Sequence, residues 1–314
     1  MQSLAYSSSV AALFAAVTLF IQPSAQADTF GGGTNTFTIP FVPIVNTGNT
    51  ADTTTYGAVP YQYRVSTYEI TQDAITKATA SGMANVTAGP WTGNQPAASI
   101  SWYEAAAFVN FLNTNSGKTA AYDLSFSDGS WSMTLQSNSN AWTAGGTNLY
   151  RNKNAFYFLP SENEWYKAAW YNPAGSNYFL YPTASSSEPT RVTGGTNAGT
   201  AVYDSVAAVP AIVDSAGGLS PYGTMSQGGN VGEWTESAFD GSNNSPSENR
   251  LIRGGSWLNP GNLLRSSGRG NYEATLVDTN FGFRVASVPE PSTYVLVLMG
   301  AGALYLWKRR KSSL

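Results

Sequence analysis

None of the 314 residues is cysteine or histidine, so any chemistry here proceeds without a thiolate or an imidazole. That removes disulfides, thiolate metal sites and the cysteine nucleophile. It also removes the commonest general base and the commonest ligand of zinc, copper and non-haem iron. Oxygen and guanidinium groups remain. Two carboxylate pairs, Glu162 with Glu164 and Asp204 with Asp214, could do acid–base work, although adjacent acids at a helix start are also structural. Lys153 or Lys167 could stand in as base for a serine, but neither lies in a local motif for it. In the turn Gly228–Trp234, Asn230 and Glu233 offer oxygens that suit calcium, a hard cation taking six to eight of them. The same turn is equally compatible with hydrogen bonds and no ion. Arg253, Arg265, Arg269 and Arg284 follow it. Guanidinium forks bind carboxylates bidentately, so the four either line an anion or ligand cleft or cross-link loops through Glu233, Glu164 or Asp278.

Three helices and a strand are expected to position these groups. Tyr61 to Ile70 alternates as a strand, after which Thr71 caps a helix running through Ala80 and closed by Gly82. Ser101 and Glu104 form a capping box ahead of Ala105, Phe108, Val109 and Leu112 at helical spacing, with Gly117 as the stop. A second box, Ser161 with Glu164, opens a helix that Pro173 terminates. The rest reads as loop: Thr29 to Thr55 as loop or edge strand, Ser125 to Thr147 as a long loop, Pro182 to Pro221 as another. The fold class is therefore α+β, irregular and loop-rich, in a single domain.

Composition narrows the partners. Only 11% of residues are charged, against about 25% in an average soluble protein. Setting aside Lys308, Arg309, Arg310, Lys311 and Glu290 leaves 12 basic and 18 acidic residues between Asp28 and Ser287. A mildly acidic body without a basic stripe argues against nucleic acid. Aromatic residues make up 13% of the chain, and Trp131, Trp142, Tyr178 and Tyr181 could stack on sugar rings where exposed.

Six blocks in order, SISWYEAAAFVNFLN, FLPSENEWYKAAWY, YGTMSQGGNVGEWTE, LIRGGSW, LRSSGR and GFRVAS, resemble the formylglycine-generating enzyme, or sulfatase-modifying factor, family from about Tyr61 to Ser287. The resemblance implies a variant of the C-type lectin fold. It also implies a calcium site built from Ser226, the carbonyls of Gly229 and Val231, and Glu233. A second would use Asn197, the carbonyl of Ala198, Asp204 and the carbonyl of Val206. Ser226 stands where the family usually has Asp or Asn, and Gly232 where it usually has tryptophan. The family's oxidases use two cysteines just after the GGSW block to bind copper and oxidise a substrate cysteine, and a related branch holds iron with histidines. Here the matching segment reads LNPGNLLRSSGR. No copper or iron site is expected.

Both ends look like processing segments. Residues 1–27 carry no charge and contain an apolar run from Val10 to Ile21 that ends at Ala25-Gln26-Ala27, the pattern of a signal peptide with Asp28 as the first mature residue. Val288, Pro289, Glu290 and Pro291, then an apolar run from Tyr294 to Trp307 and KRRK, resemble the PEP-CTERM sorting signal of Gram-negative bacteria. That resemblance implies a transmembrane segment with its basic end in the cytoplasm, recognition by exosortase, and residence in the envelope or extracellular matrix. The expected organisation is a signal peptide at 1–27, a lead-in at 28–60, the domain at 61–287 and the sorting signal at 288–314. The leading expectation is an exported, non-catalytic protein, a pseudoenzyme that binds an extracellular glycan or protein, with calcium as a cofactor at most. The competing one is an oxidoreductase of the formylglycine-generating type, or another modifying enzyme, acting on exported proteins.

Overall fold

The computed structural model describes residues 26–87 and 89–288. Two sheets and three helices enclose the main core. The first sheet has five antiparallel strands in the spatial order Gln26–Phe30, Phe37–Ile44, Tyr63–Ser66, Ala286–Ser287 and Tyr157–Phe158. The second has four, in the order Gly270–Tyr272, Arg250–Arg253, Gly232–Ala238 and Phe281–Phe283, of which the last two run parallel. The helices are α1 (Gln72–Ala80), α2 (Trp102–Asn115) and α3 (Glu162–Trp170).

All three helices begin where their caps place them. Thr71 Oγ1 accepts the Ala74 amide at 3.1 Å, and both expected capping boxes are formed, Ser101 with Glu104 and Ser161 with Glu164. Each satisfies two of the amides that a helix start leaves without partners. The third helix ends at Trp170, short of Pro173, because Tyr171 and Asn172 turn into a short antiparallel pairing with Asn177 and Tyr178. At the start of α2, Trp102 Nε1 donates to the Thr235 carbonyl at 2.9 Å, and Trp234 Nε1 to that of Ile100 at 2.8 Å. The two indoles thus fasten this helix to the second sheet.

Strands form in Thr29–Thr55, expected as loop or edge strand, and in Ser125–Thr147, expected as a long loop. Phe37–Ile44 is an interior strand despite Pro40 and Pro43, because Phe37, Ile39 and Phe41 point alternately into the core and the Pro40 carbonyl still accepts the Thr67 amide at 2.8 Å. Residues 28–60 are accordingly built into the domain. Gln26 and Ala27, the last residues of the expected signal peptide, pair with Phe41 and Pro40. Within Ser125–Thr147, a hairpin joins Asp123–Ser127 to Ser130–Thr134. Asp128 and Gly129 turn it with φ of 52° and 76°, as a two-residue loop matching strand twist requires. A second ribbon pairs Ala141–Trp142 with Asn148–Asn152.

No helix among the described residues is long and apolar enough to cross a membrane. The expected span from Tyr294 to Trp307, and Pro289, Glu290 and Pro291 of the sorting motif, lie outside the described residues. Val288 closes the described chain, its amide bonded to the Phe156 carbonyl at 3.0 Å.

Lys167 on α3 is buried without forming an ion pair among the described residues. Its ammonium donates to the Asn46 carbonyl at 3.0 Å and lies 5.9 Å from the Tyr171 ring. Burial lowers its pKa to about 8 from the ordinary 10.5. Between those values the folded amine is neutral while the unfolded one holds its proton, so stability contributed here rises with pH across that window and is lost as pH falls through 8. Replacing an ill-paired buried charge with an apolar side chain is neutral or stabilising, by ~1–4 kcal/mol in favourable cases. Lys167→Met should therefore raise Tm at pH 7, with the difference from wild type shrinking toward pH 10; thermal melts at the two pH values check it.

Candidate functional site

A cleft of about 170 Å³ opens between α3, the loop before the strand Tyr63–Ser66, and the ribbon around Trp142. Tyr56, Tyr61 and Trp142 supply its aromatic wall, and Asn148, Ser161, Asn163, Ser237 and Asn243 much of its polar lining. Trp142 is held rather than free: its Nε1 donates to the Ala144 carbonyl at 2.8 Å, and its ring meets Tyr61 edge-on at 5.4 Å. Arg151 and Glu162 reach the cleft from behind.

Those two side chains belong to separate buried charge clusters. Arg151 lies between two carboxylates, donating to Glu164 at 2.8 and 3.0 Å and to Glu236 at 2.6, 2.9 and 3.0 Å. Tyr61 adds a hydroxyl bond to Glu164 at 2.8 Å, and Tyr122 one to Glu236 at 2.8 Å. Glu162 is shared by Arg253 and Arg269, the latter donating at 2.8 and 3.0 Å. Arg253 also binds the carbonyls of Ser266 and Gly268 at 2.8 and 2.7 Å. Both guanidiniums pack against the Tyr56 ring, 5.2 and 4.9 Å from its centre.

The structure therefore brings together several groups that the sequence singles out separately. Glu162 lines the cleft and Glu164 is fully buried behind Arg151, and both act as anchors for arginines. Arg253 and Arg269 converge on Glu162. Arg284 is elsewhere, fully buried and bidentate on Glu233 at 2.6 Å to each oxygen. Arg265 is exposed and makes no ion pair among the described residues. The expected internal pairing thus holds for Glu233, whereas Glu164 takes Arg151. Asp278 receives the Asn280 amide at 3.2 Å. Among the remaining aromatics, Trp131 packs on Phe126 in the hairpin, Tyr178 bonds to Asn49 and Thr50, and Tyr181 is buried. Asp214 is exposed, and Lys153 caps the Ser139 carbonyl at 2.6 Å. Arg151 and Glu236 escaped sequence reasoning, although two glutamates in the strand GEWTESA, buried along its whole length, demand cationic partners.

In both calcium sets the carboxylate is already engaged by protein donors. Glu233 receives Trp165 Nε1 at 2.6 Å in addition to Arg284, so its charge is already balanced inside the core. Ser226 Oγ is buried without a partner, but one hydroxyl is a small part of six to eight oxygens. Gly229 forms the turn at φ 89°, where a Cβ would stand 2.2 Å from the Val202 carbonyl oxygen. Val231 donates its amide to Glu69 at 3.1 Å. In the second set, Asp204 pairs with Arg191 at the surface, Asn197 uses its carbonyl for the Thr200 hydroxyl at 2.7 Å, and Ala198 and Val206 are exposed. No group of three acidic side chains able to hold a metal occurs among the described residues.

The segment matching the family's cysteine-bearing stretch is held by neutral groups in its first half and by Arg253 and Arg269 at its end. Ser256 Oγ donates to Asn259 Oδ1 at 2.8 Å, the Asn259 carbonyl accepts the Asp204 amide at 2.8 Å, and Leu264 is buried. At Gly232, Ile252 Cγ2 would lie 3.0 Å from any Cβ, so the core leaves no room for the family's usual tryptophan.

A family model described as a sulfatase-modifying factor enzyme 1-like domain matches residues 40–288, from the second strand through to the end of the described chain. The chain belongs to that family. A second model, the PEP-CTERM protein-sorting motif, matches residues 287–311, so this sulfatase-modifying-factor-like domain carries a signal for export and envelope sorting by the exosortase route. No curated protein matches significantly. Among solved structures, variable protein 1 of Treponema denticola is similar at a TM-score of 0.59 and 20% identity, over 85% of this chain and all of that one. CarF is similar at 0.55 and 17%, over 80% of this chain and 99% of that one. PvdO from Pseudomonas aeruginosa is similar at 0.51 and 17%, over 83% and 98% respectively. These likenesses give the sulfatase-modifying-factor domain its fold, the loop-rich α+β architecture expected from the sequence.

The Arg151 cluster makes opposite demands on its two acids. Burial would raise Glu164, but Arg151 outweighs it and holds the carboxyl below its ordinary 4.5. For Glu236, burial wins over Arg151 and the pKa is raised. Glu164 thus contributes stability above pH 4.5 that is lost as pH falls through its folded pKa; the Glu236 contribution is present below 4.5 and lost as pH rises through its own. Glu164→Gln should destabilise the fold at pH 7 by roughly 3–5 kcal/mol, as expected for breaking a buried pair. The loss should shrink as pH drops below 4.5. Glu236→Gln should cost less at pH 7, an order that urea titrations at pH 7 and 4 would test.

Proposed function

We propose that this exported sulfatase-modifying-factor-like domain works by binding a ligand in the Tyr56–Tyr61–Trp142 cleft, without the redox chemistry of its family. One observation carries the reading: the segment 258–269, which matches the cysteine-bearing stretch, has no thiol, and its Asn259, Leu264, Ser266 and Arg269 are already bonded or packed within the fold. No thiol or imidazole elsewhere in the sequence could substitute. The acids nearest the cleft are held in ion pairs with arginines, which suits anchoring better than proton transfer. By contrast the cleft has a fixed aromatic wall and a polar lining, the features of a binding pocket. The sorting motif supports a place at the cell envelope or beyond it. Cleavage of the tail, a membrane-anchored precursor and contact with an extracellular partner belong to this proposal.

Purified full-length protein should contain no stoichiometric copper or iron, and with copper and a cysteine-containing peptide should consume no oxygen beyond the protein-free copper–thiol control. One copper per chain with thiol-dependent oxygen uptake would overturn the binding reading. A chelator should leave Tm unchanged. A fall in Tm that added calcium reverses would instead show a structural calcium ion.

A further inference from the structure

Behind the cleft the charges cancel. Arg151, Arg253 and Arg269 face Glu162, Glu164 and Glu236, three cations against three anions, and each guanidinium is bonded to at least one of these carboxylates. An anionic ligand would have to displace an internal carboxylate from its arginine, and a cationic one would have to displace an arginine from its carboxylate. Both exchanges break buried, charge-assisted bonds.

What the cleft leaves available is neutral. Asn163 and Asn243 use their side-chain oxygens on the amides of Gly57 and Ala238, at 2.9 and 2.7 Å. Their side-chain Nδ2 groups have no acceptor among the described residues. The hydroxyls of Ser161 and Ser237 accept from the backbone amides of Glu164 and Glu162 and donate to no described residue. Tyr56 and Thr147 have hydroxyls without partners among the described residues, and both residues line the cleft. Donors and amphoteric hydroxyls at this density, beside fixed aromatic faces, match a molecule that has hydroxyls around its edge and C–H groups on its faces. At about 170 Å³ the space falls below the roughly 300–1,000 Å³ of pockets for drug-sized ligands, which favours a single ring over an extended peptide.

We infer that the cleft binds one uncharged sugar ring of a neutral extracellular polysaccharide. Trp142 and Tyr56 take its apolar faces, and Asn163, Asn243 and the Ser237 hydroxyl take its ring substituents. This rests on the ligand-binding reading above and adds the class of ligand. Of the two roles the sequence leaves open for the four arginines, Arg253 and Arg269 take internal pairing on Glu162, and the excess positive charge there is offset by Glu164 and Glu236 around Arg151.

The test is native affinity electrophoresis of the full-length protein through gels containing a neutral glucan, galactan or mannan, with alginate as the anionic polymer. At least one neutral polymer should retard the protein, and alginate should not. Trp142→Ala should weaken retardation at least tenfold, while Trp142→Phe keeps part of it. Thr147→Glu changes an exposed rim position, and the carboxylate it adds should weaken binding by a similar factor without unfolding the protein. Retardation by alginate alone would overturn the neutral class while leaving a binding protein. Retardation indifferent to both Trp142→Ala and Thr147→Glu would remove the sugar from this cleft. No retardation by any polymer would overturn the sugar inference; the broader binding reading would fall separately, on a positive copper and oxygen assay.

Discussion

One guanidinium holds the two sheets together. Arg284 spends both faces of its fork inside the core: two bonds to Glu233 on the second sheet, others to the carbonyls of Ser66 and Thr67 at the end of a first-sheet strand, and one to the Met225 carbonyl at 2.7 Å. Glu233 in turn receives the Trp165 indole from α3. Only arginine offers five donors in one rigid plane, so a single residue can satisfy groups from three separate segments. The arrangement has a secondary effect. Glu69 accepts from Asn230 at 2.6 Å and from Val231 at 3.1 Å. Burial first, and the nearby Glu233 charge second, push its pKa well above 4.5.

This use of charge explains an odd composition. A chain with so few charged residues still buries Arg64, Arg151, Arg250, Arg253 and Arg284. Arg64 is bidentate on Asp28 at 2.6 and 3.1 Å, with the Tyr157 hydroxyl on the same carboxylate at 2.9 Å. Arg250 lies 4.5 Å from the Trp102 ring centre and 4.1 Å from that of Tyr150. With much of the chain irregular, loops cannot all be fixed by backbone ladders. Planar cations between carbonyls, carboxylates and rings do that job instead, so the basic residues are largely consumed within the fold and the surface is left to Asn, Ser, Thr and Gly.

Local signals in the sequence were good guides where the physics is local. The capping boxes at Ser101 and Ser161 and the threonine cap at Thr71 mark helix starts because the bonds that define them span three residues. Motif order was sufficient for the fold class. Signals failed where context decides. Phe37–Ile44 carries two prolines that argue for a loop, yet its alternating Phe, Ile and Phe are buried by strands far away in the chain. The Asp128-Gly129 turn was legible in principle, flanked as it is by alternating DLSFS and SWSMT, and only a composition rich in serine disguised it. The site was less readable still. Trp142, Glu162 and Arg253 are individually conspicuous, but their meeting depends on which acid each arginine chooses, and Arg151, the partner of Glu164, sits in an unremarkable NLYRN.

The strand Ala286–Ser287 lies inside the first sheet, paired on one side with Tyr63–Ser66 and on the other with Tyr157–Phe158. It is also the last strand before the sorting motif. A ribosome or translocon releasing this chain from its N-terminus delivers this interior strand of the sheet last. The two parts of the sheet that precede it in the sequence cannot be joined until that strand arrives. Pairings over such separations are slow because the loop-closure entropy is met before the contacts form. Completion of this sheet thereby waits for a strand that directly abuts the sorting motif.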